Sequence, residues 1–278
     1  MEKITEIALL KKKAEEIRYD IVGMIAEAGS GHPGGSLSGA DIGTILFFNE
    51  MNFNPDKPDW DDRDRFILSK GHAAPLLYAL LANAGYFERS ELKSLRKYKS
   101  RLQGHPASYM LPGVEVSTGS LGQGLSISCG IALAGKLNNK DFRVYTLLGD
   151  GELDEGQVWE AAMFASHKKL DNLCAIVDRN RLQIDGDTEK VMVLEPLQAK
   201  WDAFGWHIIL IDGHNISEIL SAFKEFHTVK DKPTVILART VKGKGVSFME
   251  NKAGWHGKAP NKDELKLALK EIKARMDA

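Results

Sequence analysis

Cysteine is scarce in this 278-residue chain: Cys129 and Cys174 are the only two, and both stand in apolar context. That argues against a disulfide or a catalytic cysteine pair, and predicts two buried, inert thiols. Net charge is nearly absent too, at −1, which removes the electrostatic case for nucleic acid or a membrane surface as partner. No apolar run approaches the ~20 residues that span a bilayer. The opening Met1-Glu2-Lys3 carries no signal-peptide pattern, so a cytoplasmic location is expected. Internal repeats, low-complexity linkers and a G-x-x-x-x-G-K-[ST] phosphate loop are all missing. What the chain does have is length and a hydrophobic content of 43%, ample for one large domain with a sizeable core.

Periodicity places the elements. Ile7, Leu10, Ala14, Ile17, Ile21, Met24 and Ala28 recur at helical spacing and Gly29 ends the run. Further helices are expected at Ser38 to Asn49, Ala74 to Asn83, Ser90 to Tyr98, Leu121 to Leu137 and Glu155 to Lys169. Beyond them come a helix opened by Pro196 and closed by Gly205, a Ser217-capped helix, and a charged amphipathic helix from Asp263 to Met276. Val144–Leu148, Leu173–Val177, His207–Ile211 and Val235–Ala238 read as strands. Such alternation predicts an α/β fold, one parallel sheet with helices on both faces.

Gly149-Asp150-Gly151 follows one of these strands, and Asn180 follows the next. A strand–helix–strand unit of this length is a right-handed parallel crossover, so Asp150 and Asn180 converge at the carboxyl ends of neighbouring strands. A carboxylate and an amide oxygen, with no sulfur or imidazole beside them, suit Mg2+ or Ca2+. The flanking glycines and the helix start beyond them suit a diphosphate. The bland alternative is a tight turn with an asparagine opening the next loop. Glu152, Asp154 and Glu155 read equally as acids favoured at a helix start.

Gly29-Ser30-Gly31-His32-Pro33-Gly34 matches the G-x-G-x-x-G dinucleotide pattern, but it follows a helix rather than a strand. The helix it should open is displaced and Pro33 interrupts the turn, so that reading is rejected. The histidines are more informative. His32, His72, His105 and His256 each adjoin glycine in a loop. One such histidine is usually a loop residue; four with one neighbourhood point to a site. His167 fits a helix C-terminus, His207 adjoins a strand, His227 a helix end, and His214 a turn.

In order, Gly31-His32-Pro33-Gly34-Gly35, Ser69-Lys70-Gly71-His72-Ala73, Gly104-His105-Pro106, Ser117-Thr118-Gly119-Ser120-Leu121-Gly122-Gln123-Gly124, the Gly149–Asn180 stretch and Gly254-Trp255-His256-Gly257 resemble transketolase. The resemblance is to its N-terminal, diphosphate-binding domain and covers nearly the whole chain. It implies residues 1–278 as a single thiamine diphosphate-binding domain, with the pyrimidine-binding and C-terminal domains on a partner chain. The implied protein is one subunit of a split transketolase, expected as an α2β2 heterotetramer. It would pass a two-carbon ketol unit from a ketose phosphate to an aldose phosphate. The cofactor supplies the electron sink and protein groups supply position and proton transfer. The activating glutamate lies on the pyrimidine-binding domain, so no residue here is assigned to it.

The resemblance also implies local roles. His32 and His256 would handle protons or hydrogen bonds at the reacting ketose carbons, and His105 would contact the donor's first hydroxyl. His72, His256, Gly119, Leu121, Gly151 and Glu155 would contact thiamine diphosphate. Asp150, Asn180 and the Leu182 carbonyl would hold Mg2+ (or Ca2+ or Mn2+), with Asn180 also close to the cofactor. Ser120 stands where many members carry proline. Lys242 and Lys244 face phosphate or are solvated surface lysines. Asp150→Ala is expected to leave folding little changed, as the site faces solvent at a strand end. The alternatives are a non-catalytic thiamine diphosphate-like module and a 2-oxo-acid dehydrogenase subunit. Several histidines suited to sugar hydroxyls favour transketolase over the dehydrogenase, and intact Asp150 and Asn180 favour it over the module.

Overall fold

Side chains that alternate between the two faces of a central sheet build two cores, one on each face. The computed structural model describes residues 3–277 except Asp185. Its strands are β1 (Arg65–Leu68), β2 (Val144–Gly149), β3 (Leu173–Arg179), β4 (Leu182–Gln183), β5 (Gly186–Asp187), β6 (His207–Asp212) and β7 (Thr234–Arg239). The main sheet runs β1-β2-β3-β7-β6 with every pair parallel, while β4 and β5 form a small antiparallel ribbon. The helices are α1 (Ile7–Ala28), α2 (Pro33–Ser38), α3 (Ala40–Ile45), α4 (Ala74–Asn83), α5 (Gln123–Leu137), α6 (Gly156–His167), α7 (Thr188–Val191), α8 (Leu197–Ala203), α9 (Ile216–Phe226) and α10 (Lys262–Met276).

Tyr145, Leu147, Cys174 and Ile176 pack with α1, α3, α4, α9 and α10 in one core. Val144, Leu148, Ala175 and Val177 pack with α5, α6 and α8 in the other. The period of two along each strand sends neighbouring residues to opposite faces. Cys174 and Cys129 therefore lie in different cores, unbonded, and burial raises both thiols, Cys129 to about 12. This is the expected parallel α/β architecture.

The topology sets where a ligand goes. The β2–β3 crossover carries α6 on one face, and the β6–β7 crossover carries α9 on the other. Right-handed crossovers on opposite faces advance in opposite directions, so the two halves meet at the adjacent pair β3 and β7. A crevice opens outside the carboxyl ends of the strands at such a switch point.

Several local readings need correction. The helix expected over Ser38–Asn49 begins at Pro33, which serves as the first helical residue instead of interrupting the turn. It then breaks at Gly39, where a Cβ would stand 2.9 Å from Leu76, and ends in a π-turn, Leu46–Glu50. The stretch still follows helix α1, so the dinucleotide reading fails on its main ground. Ser90–Tyr98 holds only a 3-10 turn, Arg89–Ser94. Asn215, not Ser217, caps α9, accepting from the Ser217 and Glu218 N–H groups. Strand β1 was not foreseen: four residues behind Asp61-Asp62-Arg63-Asp64 give too short a pattern.

Candidate active site

At the carboxyl edge of β2 and β3 lies a cavity of about 210 Å³. His32, His72 and His256 enter it from three separate loops, with Lys70, Lys242, Gly119, Leu121, Asp150, Gly151, Glu152, Asn180 and Leu182 also on its walls. Each sits where the chain leaves a regular element. His32 precedes α2, His72 lies in the 3-10 turn Gly71–Ala73 after β1, and His256 follows the 3-10 turn Ala253–Trp255. Asp150 follows β2 and Asn180 follows β3.

The three imidazoles pack edge to face or tilted, with centroids 5.1–5.4 Å apart. Burial, then the positive charge of Arg96 and other neighbours, lowers His32 to about 4. Burial and Lys242 lower His256 to about 4, and burial and Lys70 lower His72 to about 2. All three are neutral at neutral pH, able both to donate and to accept a proton. Lys242 Nζ donates to His256 Nδ1 at 2.9 Å, which leaves the proton of a neutral ring on Nε2. His32 Nδ1 is buried without a partner. In NMR titrations of the folded chain, the His32 and His256 rings are expected to stay neutral down to about pH 4. A transition near the ordinary 6.5 in either ring would mean the cavity is open to water.

The oxygen set lies beside them. Asp150 is only 2% exposed; its Oδ1 accepts from the Gly151 N–H at 2.9 Å and its Oδ2 from the Arg181 N–H at 2.6 Å and Arg179 at 3.1 Å. Burial and the neighbouring Asp178 push its carboxyl up to about 6. Asn180 Nδ2 donates to Asp178 Oδ2 at 3.2 Å, so Oδ1 is the outward atom, accepting the Leu182 N–H at 3.1 Å. The Leu182 carbonyl accepts from Lys242 Nζ at 2.9 Å. A carboxylate, an amide oxygen and a carbonyl are hard donors that fit Mg2+, Ca2+ or Mn2+. Among the described residues, no group of three or more His, Cys, Asp or Glu is placed to hold a metal, so this mixed oxygen set is the candidate. For a diphosphate, the fit rests on Lys242, the neutral histidines and the unpartnered His32 Nδ1.

Two sequence candidates stand outside the lining. His105 is exposed at the rim, against Gly119, where a Cβ would come within 3.0 Å of its ring. Glu155 is exposed at the start of α6 and packs its Cβ against Gly122. The buried acid is Glu152, which accepts from the Ser69 hydroxyl and from the Gly122 and Gly149 N–H groups at 2.9 Å. Lys242 is buried in the cavity and is not a solvated surface lysine, whereas Lys244 lies outside near Glu250. Asp150 is buried and not solvent-facing, so the ground for expecting Asp150→Ala to spare the fold is removed. Lys70, Glu152, Gln183 and Ile184 also line the cavity and were not singled out. Lys70 carries no local signal, because the four-residue strand β1 before Ser69 is too short to show a pattern of its own.

The chain matches the family model described as transketolase, thiamine diphosphate binding domain, over residues 10–275. It is 42% identical over 272 residues to one of the subunits of apulose-4-phosphate transketolase from Phocaeicola vulgatus, covering 98% of this chain and 96% of that protein. It is 45% identical over 263 residues to 6-deoxy-6-sulfo-D-fructose transketolase subunit SqwG of Clostridium sp., covering 95% and 96%. Human transketolase is 44% identical over 274 residues, but this chain spans only 43% of its length. The crystal structure of Campylobacter jejuni transketolase superposes with a TM-score of 0.91 at 34% identity, over 97% of this chain and 43% of that one.

Proposed function

This chain belongs to the transketolase family, as its thiamine diphosphate-binding domain, and from that premise we propose that it is the cofactor- and metal-holding subunit of a two-chain transketolase. The convergence of His32, His72 and His256 on the cavity that also carries Asp150, Asn180 and Leu182 is the observation that carries this reading. Residues 1–278 serve as one diphosphate-binding domain. Asp150, Asn180 Oδ1 and the Leu182 carbonyl hold the divalent ion. Lys242, His72, Gly119, Leu121 and Gly151 surround the cofactor, with Glu155 at the rim. When bound, thiamine diphosphate supplies the electron sink for cleaving a ketose beside its carbonyl.

The protein groups orient the sugar and move its protons. His32 and His256, held neutral, exchange hydrogen bonds or protons with the donor's carbonyl and hydroxyl oxygens. His105, at the rim, meets the terminal hydroxyl of the two-carbon unit. Donor and acceptor are sugar phosphates or sugars with a comparable anionic end. The names of two relatives, one for apulose 4-phosphate and one for a 6-sulfo sugar, support that class. Both relatives are named as subunits, which supports a partner chain; that partner is proposed to carry the pyrimidine-binding domain, in an α2β2 assembly.

Co-expression with a C-terminal transketolase subunit tests this. The mixture is expected to run at the mass of a heterotetramer, to bind thiamine diphosphate with Mg2+ by calorimetry, and to transfer ketol units. The isolated chain is expected to bind weakly and turn over little or not at all. Strong turnover by this chain alone, or no association with such a partner, would refute the two-chain reading.

A further inference from the structure

We propose that Arg96 is a positioning residue that ties the loop bearing His32 to the loop bearing His105; this rests on the function proposed above. Both histidines stand on irregular segments: Ser30-Gly31 precedes His32 after α1, and Gly104 precedes His105. Arg96 Nη1 donates to Ser30 Oγ at 2.8 Å, and Nη2 points to the Gly104 carbonyl at 3.5 Å. The planar guanidinium lies against the bare Cα of Gly104, where a Cβ would stand 3.1 Å from Cζ and Nε and 3.2 Å from Nη2. A fork of fixed geometry can span two loops in this way, and lysine cannot.

The backbone is committed to the same placement. Arg96 has φ +59°, a left-handed conformation that non-glycine residues seldom adopt. Its N–H donates to the Leu102 carbonyl at 2.9 Å, closing the loop that leads into Gly104. On the other side, Tyr78 Oη donates to the Gln103 carbonyl at 2.9 Å, with the His105 carbonyl a second acceptor for the same proton at 3.3 Å. The His105 loop is thus held between Tyr78 and Arg96, and Arg96 alone of the two reaches on to Ser30. Its charge also acts on both rings, lowering His32 and His105 after burial has done so.

The test compares Arg96→Ala, Arg96→Lys and Gly104→Ala in the assembled enzyme, with NMR titration of the histidines in this chain. Gly104→Ala keeps the charge but displaces the fork. Arg96→Ala is expected to lower donor kcat/KM by about 10- to 100-fold, the scale of a small misplacement of reacting groups. Its affinity for thiamine diphosphate should be unchanged, and the His32 and His105 titrations should move to higher pH. Arg96→Lys is expected to restore the titrations but only part of kcat/KM, and Gly104→Ala to lower kcat/KM with little change in the titrations. Wild-type-like kcat/KM in Arg96→Ala would overturn the proposal, whatever the titrations show. So would losses that follow melting temperature equally in all three variants. If the wild-type assembly transfers no ketol unit, the proposed function fails, while the titrations still report on Arg96.

Discussion

Asp178→Ala is expected to cost the fold roughly 3–5 kcal/mol, the usual penalty for stripping one partner from a buried ion pair. Asp178 is fully buried and Lys70 is 1% exposed. Their contact joins β3 to the segment after β1. The same carboxylate accepts from Ser38 Oγ at 2.5 Å, from the Thr240 hydroxyl and from Asn180 Nδ2 at 3.2 Å. Burial alone pushes this carboxyl up, but Lys70 and the hydrogen bonds from Ser38 and Thr240 bring it below the ordinary carboxylate range. A depressed folded value means that this contribution is present above the unfolded pKa of about 3.8 and fades as pH falls through the lower folded value. Denaturant melts at pH 7 read the loss directly. The double change Lys70→Met with Asp178→Leu, which leaves no uncompensated charge, should recover much of it. A loss below about 1 kcal/mol for Asp178→Ala would put the pair with weak surface bridges instead.

That hub shows what a sequence hides. Asp150 and Asn180 were legible because strand and helix periods differ, and a parallel crossover leaves its two strand ends on one edge. The clustering of His32, His72 and His256 was legible from repeated His–Gly pairs, and the cavity brings those three together. Lys70 was not legible: in Ser69-Lys70-Gly71 it looks like any solvated lysine, and only the strand 108 residues later supplies its partner. Glu152 and Glu155 carry equal local signal as acids at a helix start. Tertiary contact alone separates them, burying Glu152 under Ser69 and leaving Glu155 exposed. Asn215 and Ser217 are both good caps, and the choice between them turns on where the chain leaves β6. Local pattern reaches the sheet and its edge; long-range pairing decides which polar groups are sealed in.

Asp150→Asn is expected to weaken binding of Mg2+ with thiamine diphosphate by at least about 100-fold, while the ligand-free chain remains as stable or gains stability. Asp150 is the one carboxylate assigned to the divalent ion, and an amide presents no charge to offset it. The fold responds differently because this carboxylate sits uneasily. Burial and Asp178 raise it to about 6, so the folded chain holds the proton where the unfolded chain, near 3.8, has released it. The ionised form therefore weakens folding as pH rises from 3.8 to about 6, and the full penalty is present at pH 7. Asparagine removes that penalty. It keeps one acceptor for the Gly151 or Arg181 N–H and forfeits the other, a loss of about 1 kcal/mol. Asp150→Ala is the harsher change, because it leaves both N–H groups and Arg179 Nη1 without this partner. It should lose both affinity and stability. Calorimetry on the assembled complex, with denaturant melts of the chain at about pH 5 and pH 7, separates the two effects. The stability of Asp150→Asn relative to wild type should be lower at pH 5 than at pH 7. Unchanged cofactor affinity in Asp150→Asn would remove this residue from the metal site, whatever the melts show.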